Sequence, residues 1–250
     1  MTTHPNVKLN LGLNVLRKRP DGFHDIETLF VPYEGFSDEL EITTIAAGNM
    51  PQMELTGGDW NPLSDLSWKA YGLLKEDFDL PPVRIRLVKH NPVGAGLGGG
   101  SADAAFTLKT LDSMFSLGLS EAELAAYAAR LGSDCAFFIY NRPMFGEGRG
   151  EILTPFDIDL SRYEIKVEIP AGVAVSTKEA YSGIIPRCGR NLREVLSKPV
   201  SEWKELLVND FEETVFRLHP EIAALKRRFY DEGAVYAAMS GSGSAVFGLF

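Results

Sequence analysis

Little in these 250 residues can cross-link the chain, anchor it in a bilayer or grip a polyanion. Cysteine occurs only at Cys135 and Cys188. Two cysteines cannot build a disulfide framework, and their scarcity points to a reducing, cytoplasmic setting. No run of about 18 apolar residues exists, which excludes a transmembrane helix. The opening MTTHPNVKLNL has no basic segment followed by an apolar one, so no signal peptide is expected. Basic residues are in deficit: 25 Lys and Arg face 34 Asp and Glu, a net charge of −9. A broad nucleic-acid or membrane surface needs the opposite balance, so neither partner is expected. A small anionic ligand in a local pocket is still allowed. Repeats and low-complexity segments are lacking as well. The expectation is a monomer or homodimer acting on small molecules.

What the chain has in quantity is glycine, and it is concentrated. In NPVGAGLGGGSADAAFTLKTLDSMF, Asn91 to Phe115, five glycines fall at 94, 96, 98, 99 and 100. The strand-like VRIRLVK, 83–89, feeds this run, and helical spacing from Ser101 to Phe115 follows it. Glycine lets the backbone approach oxygen atoms without a Cβ clash and reach positive φ. The first N–H groups of a helix have no internal partner and sit at the positive end of its dipole. Together these make an anion site whose usual guest is phosphate. Gly94-Ala-Gly96-Leu-Gly98-Gly99 satisfies G-x-G-x-x-G, but several strands precede it and the chain does not open on a βαβ unit, against a dinucleotide fold. A P-loop would need lysine where Gly100 stands. Neither H-R-D nor D-F-G occurs, against a protein kinase.

Val7, Leu9, Leu11, Leu13 and Val15 alternate with Lys8, Asn10, Gly12 and Asn14. Period two predicts a strand with one buried face and puts Lys8 and Asn10 together on the polar face, away from the core. Pro20-Asp21-Gly22 predicts a turn. Apolar stretches at 26–32, 40–45 and 52–55 predict an antiparallel region. Helical spacing at 65–77 places Leu66, Ala70, Leu73 and Leu74 on one side. Ser120 and Glu123 form a capping box for a helix that stops at Gly132. CAFFIY, 135–140, reads as a short buried strand, followed by a glycine-broken hairpin at 146–150. Beyond about 157 come a strand in YEIKVEIP, a short helix in STKEAYSG, a mostly helical stretch at 201–232, and strand, turn and strand in AVYAAMSGSGSAVFGLF. Elements are mixed in both halves, so the expected class is α+β with domains at 1–157 and 158–250, not a doubly wound sheet.

PVGAGLGGGSADAA resembles the phosphate loop of the GHMP kinases, small-molecule kinases that include galactokinase, homoserine kinase and mevalonate kinase. KLNLGLNVLRKRPDGFHDIETLF is similar to the family's opening motif, and MSGSGSAVFGLF to its C-terminal glycine motif. These ordered motifs span nearly the whole chain. The Pro-Asp-Gly-aromatic-His turn, the Gly-Ser-Asp after a helix and VSTKEAY are most similar to the branch that phosphorylates the 2-hydroxyl of cytidine diphosphate methylerythritol in non-mevalonate isoprenoid synthesis. Rival readings are a branch acting on mevalonate, homoserine or a sugar, and an inactive nucleotide-binding module. The resemblance implies a two-domain α+β fold, with an N-terminal domain resembling a ribosomal-protein fold and a ferredoxin-like C-terminal domain. It also implies a further helix and strand beyond the last glycine motif, where this sequence ends at Phe250.

The same resemblance implies the roles. ATP phosphates would be wrapped by Pro92, Val93, Gly94, Ala95, Gly96, Leu97, Gly98, Gly99, Gly100, Ser101 and Ala102, with Lys89 nearby and Ser101 beside Mg²⁺. Lys8 and Asp134 match the catalytic pair. Asn10, Phe23, His24, Phe30, Thr177 and Tyr181 match the acceptor site, where aromatic rings clamp cytosine. Many relatives carry tyrosine where this chain has Phe23. Stacking survives that change, but a phenol hydrogen bond does not. Retention of both Lys8 and Asp134 argues against the inactive module, and the aromatic set argues against a small uncharged acceptor.

Overall fold

A computed structural model describes all residues, 1–250. In chain order the elements are β1 (Thr2–Thr3), β2 (Asn6–Lys18), β3 (His24–Ser37), β4 (Glu39–Thr44), β5 (Gln52–Thr56), α1 (Leu66–Asp77), β6 (Val83–Val88), α2 (Gly99–Phe115), α3 (Glu121–Leu131) and α4 (Cys135–Tyr140). There follow β7 (Met144–Glu147), β8 (Ile152–Pro155), β9 (Ile165–Glu168), α5 (Thr177–Tyr181), α6 (Leu192–Leu196), α7 (Trp203–Leu206), α8 (Phe211–Leu218), α9 (Pro220–Asp231), β10 (Tyr236–Met239) and β11 (Val246–Leu249). The chain divides into two compact units, each discontinuous in sequence. The first holds residues 1–8, 32–93 and 98–142; the second holds 9–31, 94–97 and 143–250. β2 and β3 therefore each run from one unit into the other.

The first unit is a four-stranded sheet, ordered β1-β4-β6-β5, with helices packed on it. β6 shows why. Val83, Ile85 and Leu87 point inward while Arg84 and Arg86 point to solvent, a period-two pattern in VRIRLV. Leu108 and Leu111 of α2 and Leu74 of α1 are fully buried in this unit. β4 pairs antiparallel with β6, but β5 pairs parallel to it, correcting the expectation that 52–55 belongs to an antiparallel region. Five residues between turn signals carry no record of their direction. On α1 the buried residues are Ser67, Ala70, Tyr71 and Leu74. Leu66 and Leu73 are only half-buried, so the inward stripe lies slightly round the helix from the one expected.

CAFFIY is a helix, α4, not a strand. Every residue from Cys135 to Ile139 is buried. An apolar run this short has no polar face to reveal its period, so a buried helix and a buried strand look alike in sequence. α2 starts at Gly99, two residues before the expected Ser101, and its N-cap is Gly98 in the left-handed region at φ 76°. The capping box of Ser120 and Glu123 is present at α3, with Gly132 as C-cap in extended conformation.

The second unit contains an antiparallel sheet, β10-β11-β9, and most of a second sheet, β2-β3-β7-β8. Its core joins Leu13, Val15 and Ile26 to Phe211, Val215, Ile222 and Phe229 and to Met239 and Val246. The turn at Pro20–Gly22 and the β7–β8 hairpin are as expected. No helix is long and apolar enough to cross a membrane.

Candidate active site

In the first unit, Lys8 Nζ lies 3.7 Å from Asp134 Oδ2. The strand was expected to expose its polar face, but all residues from Asn6 to Val15 are buried, and Lys8 is only 3% exposed. Burial pulls the Lys8 pKa below its ordinary value, and the Asp134 charge and hydrogen bond offset part of that fall. Asp134 occupies the N-cap position of α4 but makes no side-chain cap. Its carboxylate is therefore not consumed by local N–H groups, the structural role most common for an aspartate in such a place. A Cβ added to Gly98 would lie 3.3 Å from Lys8 Cε, which puts the lysine directly beneath the start of α2.

No side chain caps the start of α2. Gly100 is exposed, and a Cβ built on it would meet nothing within 4 Å. Ser101 sits in the first turn, half-buried. Ala102 is fully buried, and its N–H donates to Gly98 O. Val93 is exposed while Ala95 and Leu97 are buried, so the loop alternates between solvent and packing. Gly94, Gly96 and Gly98 all have φ between 74 and 76°. A side chain at these positions would strain the backbone.

Lys89, expected near the nucleotide, is occupied by other partners. Its ammonium is bonded to Asp38 and Asp103 and is 3% exposed. Burial depresses its pKa, but the two carboxylates outweigh that and leave it raised. Asp38 also accepts the N–H groups of His90 (2.6 Å) and Asn91 (2.7 Å) and the Asn91 amide (2.8 Å). It thus fixes the backbone just before Pro92. Neither aspartate was singled out from sequence; an acidic residue inside the buried face of α2 was the available signal for Asp103. One lysine cannot fully compensate two buried carboxylates. Burial, with the Asp38 charge added, pushes the Asp103 pKa from 3.8 up to about 8 against the pull of Lys89.

The consequence for stability has a definite sign. The unfolded chain releases this proton near pH 4, whereas the folded chain holds it to about pH 8. Stability from this group is complete below pH 4 and falls as pH rises towards 8. Asp103→Asn copies the protonated form, so its melting temperature should decline less than wild type between pH 5 and pH 8. Parallel declines would show that Asp103 does not titrate in this window.

In the second unit, Asn10 is 2% exposed and donates through Nδ2 to Thr28 Oγ1 at 3.0 Å. Its backbone N–H donates to Ser240 Oγ at 3.3 Å, in the C-terminal glycine motif. Ser240 Oγ also lies 3.4 Å from Gly96 O, and Ala245 N–H donates to Ala95 O. Residues 94–97 are therefore seated on that motif. His24 stacks on Tyr181, with ring centroids 4.6 Å apart and planes at 20°; Phe211 and Tyr181 meet edge to face, with centroids 4.7 Å apart. In this conformation one face of Tyr181 is taken by His24. Burial and the Lys18 charge lower the His24 pKa, favouring neutral imidazole. Phe23 is 55% exposed and faces Arg149. Phe30 is 1% exposed, with its ring packed where side chains on Gly146 and Gly150 would go, and acts as core. Thr177 is exposed at the start of α5, whose N-cap is Ser176.

Models of two family domains match this sequence: the GHMP kinases N terminal domain over residues 65–142 and the GHMP kinases C terminal domain over 191–250. The chain belongs to the GHMP kinases. Among GHMP kinases of assigned activity, it is 50% identical over its full length to 4-diphosphocytidyl-2-C-methyl-D-erythritol kinase of Bacteroides fragilis, covering 92% of that protein. It is 47% identical to the enzyme of the same name from Cytophaga hutchinsonii, again over its full length and 92% of the relative. A crystal structure of 4-(cytidine 5'-diphospho)-2C-methyl-D-erythritol kinase superposes with a TM-score of 0.84 at 32% identity, over all of this chain and 90% of the other. Homoserine kinase from Cytophaga hutchinsonii shares the fold, with a TM-score of 0.75 at 16% identity over 98% of this chain and 84% of the other.

The GHMP kinase residues present here suit Mg²⁺ that arrives with the nucleotide. No group of three His, Cys, Asp or Glu side chains is placed to hold a metal ion. Magnesium in kinases is held by substrate phosphates, waters and one or two protein oxygens rather than by a dedicated protein cage. Ser101 Oγ is a hard oxygen donor of that kind.

Proposed function

We propose that this chain transfers the γ-phosphoryl group of ATP to the 2-hydroxyl of 4-diphosphocytidyl-2-C-methyl-D-erythritol. The observation that carries the chemistry is the pairing of buried Lys8 with part-exposed Asp134 at 3.7 Å, beneath a helix start that no side chain caps. Full-length identity to enzymes of that activity supports the choice of acceptor over mevalonate, homoserine or a sugar. The residues divide the work as follows. The N–H groups at Gly99, Gly100 and Ser101 hold nucleotide phosphate at the positive end of α2. Asp134 orients the acceptor hydroxyl and accepts its proton. Lys8 stabilises charge on the phosphoryl group in transit. Magnesium, when bound, neutralises phosphate oxygens, and Ser101 is the side chain that would hold it. Phe23, His24 and Tyr181 take the acceptor's cytidine end. Domain limits at 1–157 and 158–250 belong to the same proposal.

The test is ADP release with the cytidylyl acceptor beside mevalonate and homoserine. Turnover is expected with the first alone; comparable turnover with either of the others would overturn the assignment. Tyr181→Ala should raise KM for the cytidylyl acceptor about tenfold, consistent with about 1–3 kcal/mol per stacked base, and leave KM for ATP unchanged. An unaltered acceptor KM would remove Tyr181 from the base site.

A further inference from the structure

Phe23 is an aromatic ring left 55% exposed, one residue before the His24–Tyr181 stack. An unsupported ring on a turn samples several rotamers, and a base that stacks on it must select one at an entropic cost. This ring is not unsupported. The Arg149 guanidinium carbon lies 5.1 Å from its centroid, within cation–π range.

The turn that carries Arg149 is built to hold it there. Gly148 and Gly150 adopt φ of 70° and 107°, which closes the β7–β8 hairpin tightly around Arg149. Gly150 N–H donates to Glu147 O at 3.0 Å, and Arg149 N–H donates to Glu151 Oε2 at 2.5 Å. Ile26 N–H donates to Gly148 O at 2.7 Å, so the hairpin tip is fixed against the strand that begins at His24. The Phe23 end is equally restrained. Its N–H donates to Asp21 Oδ1, and its carbonyl accepts from Arg19 N–H at 2.8 Å. Both backbones are thus registered by hydrogen bonds, and the cation meets the ring between them. The guanidinium's other contact, Nε to Glu151 Oε1, is long at 3.5 Å.

We propose that Arg149 is a positioning residue for acceptor specificity: it covers one face of Phe23 and holds the ring so that the opposite face is presented for base stacking. This rests on the acceptor assigned above. Where a tyrosine could be restrained by its hydroxyl, a phenylalanine has no polar atom, and a cation over its face is the restraint available.

The test is a double-mutant cycle read by steady-state kinetics and by calorimetry with CDP. Arg149→Ala should raise acceptor KM by about 2- to 5-fold, the range of an exposed cation–π contact, with kcat, KM for ATP and melting temperature unchanged. Arg149→Lys, which keeps a cation, should restore most of the loss. Adding Arg149→Ala to Phe23→Ala should cost nothing further, because Arg149 acts only through the ring. An unchanged KM in Arg149→Ala overturns the proposal. So does a full additional loss in the Phe23→Ala background, which would make Arg149 a direct ligand contact. Failure of wild-type protein to bind CDP would instead refute the acceptor assignment, independently of Arg149.

Discussion

Asp134→Asn should lower kcat by about 10²- to 10⁴-fold while leaving the Kd of either substrate nearly unchanged. The range is that of a positioned general base. The substitution keeps the shape of the side chain and removes its charge. The local fold should tolerate it, because Asp134 caps no N–H group and its side chain is 31% exposed. Lys8→Met should also lose kcat, but the cause differs. Lys8 is buried against desolvation that already lowers its pKa, so its charge is sustained largely by Asp134. Removing either member disables the other. The double variant should therefore lose far less than the product of the single losses, as residues acting as one unit do. Single-turnover rates and calorimetric Kd values separate chemistry from binding. Multiplicative losses would show independent roles. An Asp134→Asn variant with near-wild-type kcat would refute the catalytic assignment.

Two glycines of one run should fail for opposite reasons. Gly96→Ala should destabilise the fold. Its Cβ would lie 2.3 Å from the Ser240 carbonyl oxygen and 3.0 Å from Gly243 N, at φ +76°. Left-handed backbone alone costs a non-glycine residue about 1–2 kcal/mol, and the backbone contact adds to that. Gly100→Val should leave the fold intact, since its Cβ meets nothing within 4 Å in the protein. ATP affinity should nevertheless fall at least tenfold on this variant, because the space above the helix start is where phosphate would lie. Gly99 is intermediate: its Cβ would make ordinary contacts with Asn91 and Lys89 at 3.4 and 3.5 Å. Thermal melting and nucleotide calorimetry on the two variants give a crossed result if the loop holds phosphate. Normal ATP binding by Gly100→Val would place the phosphates elsewhere.

The elements with strong local signals were legible from sequence. The alternation in β2 and β6, the capping box of α3 and the glycine-led start of α2 are short-range features, written within a few residues of one another. The glycine spacing pointed to an anion site, and its resemblance to GHMP kinases carried the roles of Lys8 and Asp134. Failures came where two burial environments look alike in a short segment. CAFFIY has no polar face to betray a helix, and 52–55 gives no sign of running parallel to β6.

Sequence alone pointed to an anionic ligand, because dense glycine before a helix permits the backbone conformations that present N–H groups to it. It also determined the helices and strands whose apolar period is long enough to count. Tertiary structure decided which polar residues are buried, and hence what they do. Period two put Lys8 on a polar face, but only the packing around β2 buried that face and paired Lys8 with an aspartate 126 positions later. Lys89 follows its strand in plain view of the loop, yet Asp38 and Asp103, from two other elements, take up its charge. The electrostatic state of a side chain is set by solvent access and by charges a few ångströms away, and neither is a property of neighbouring sequence.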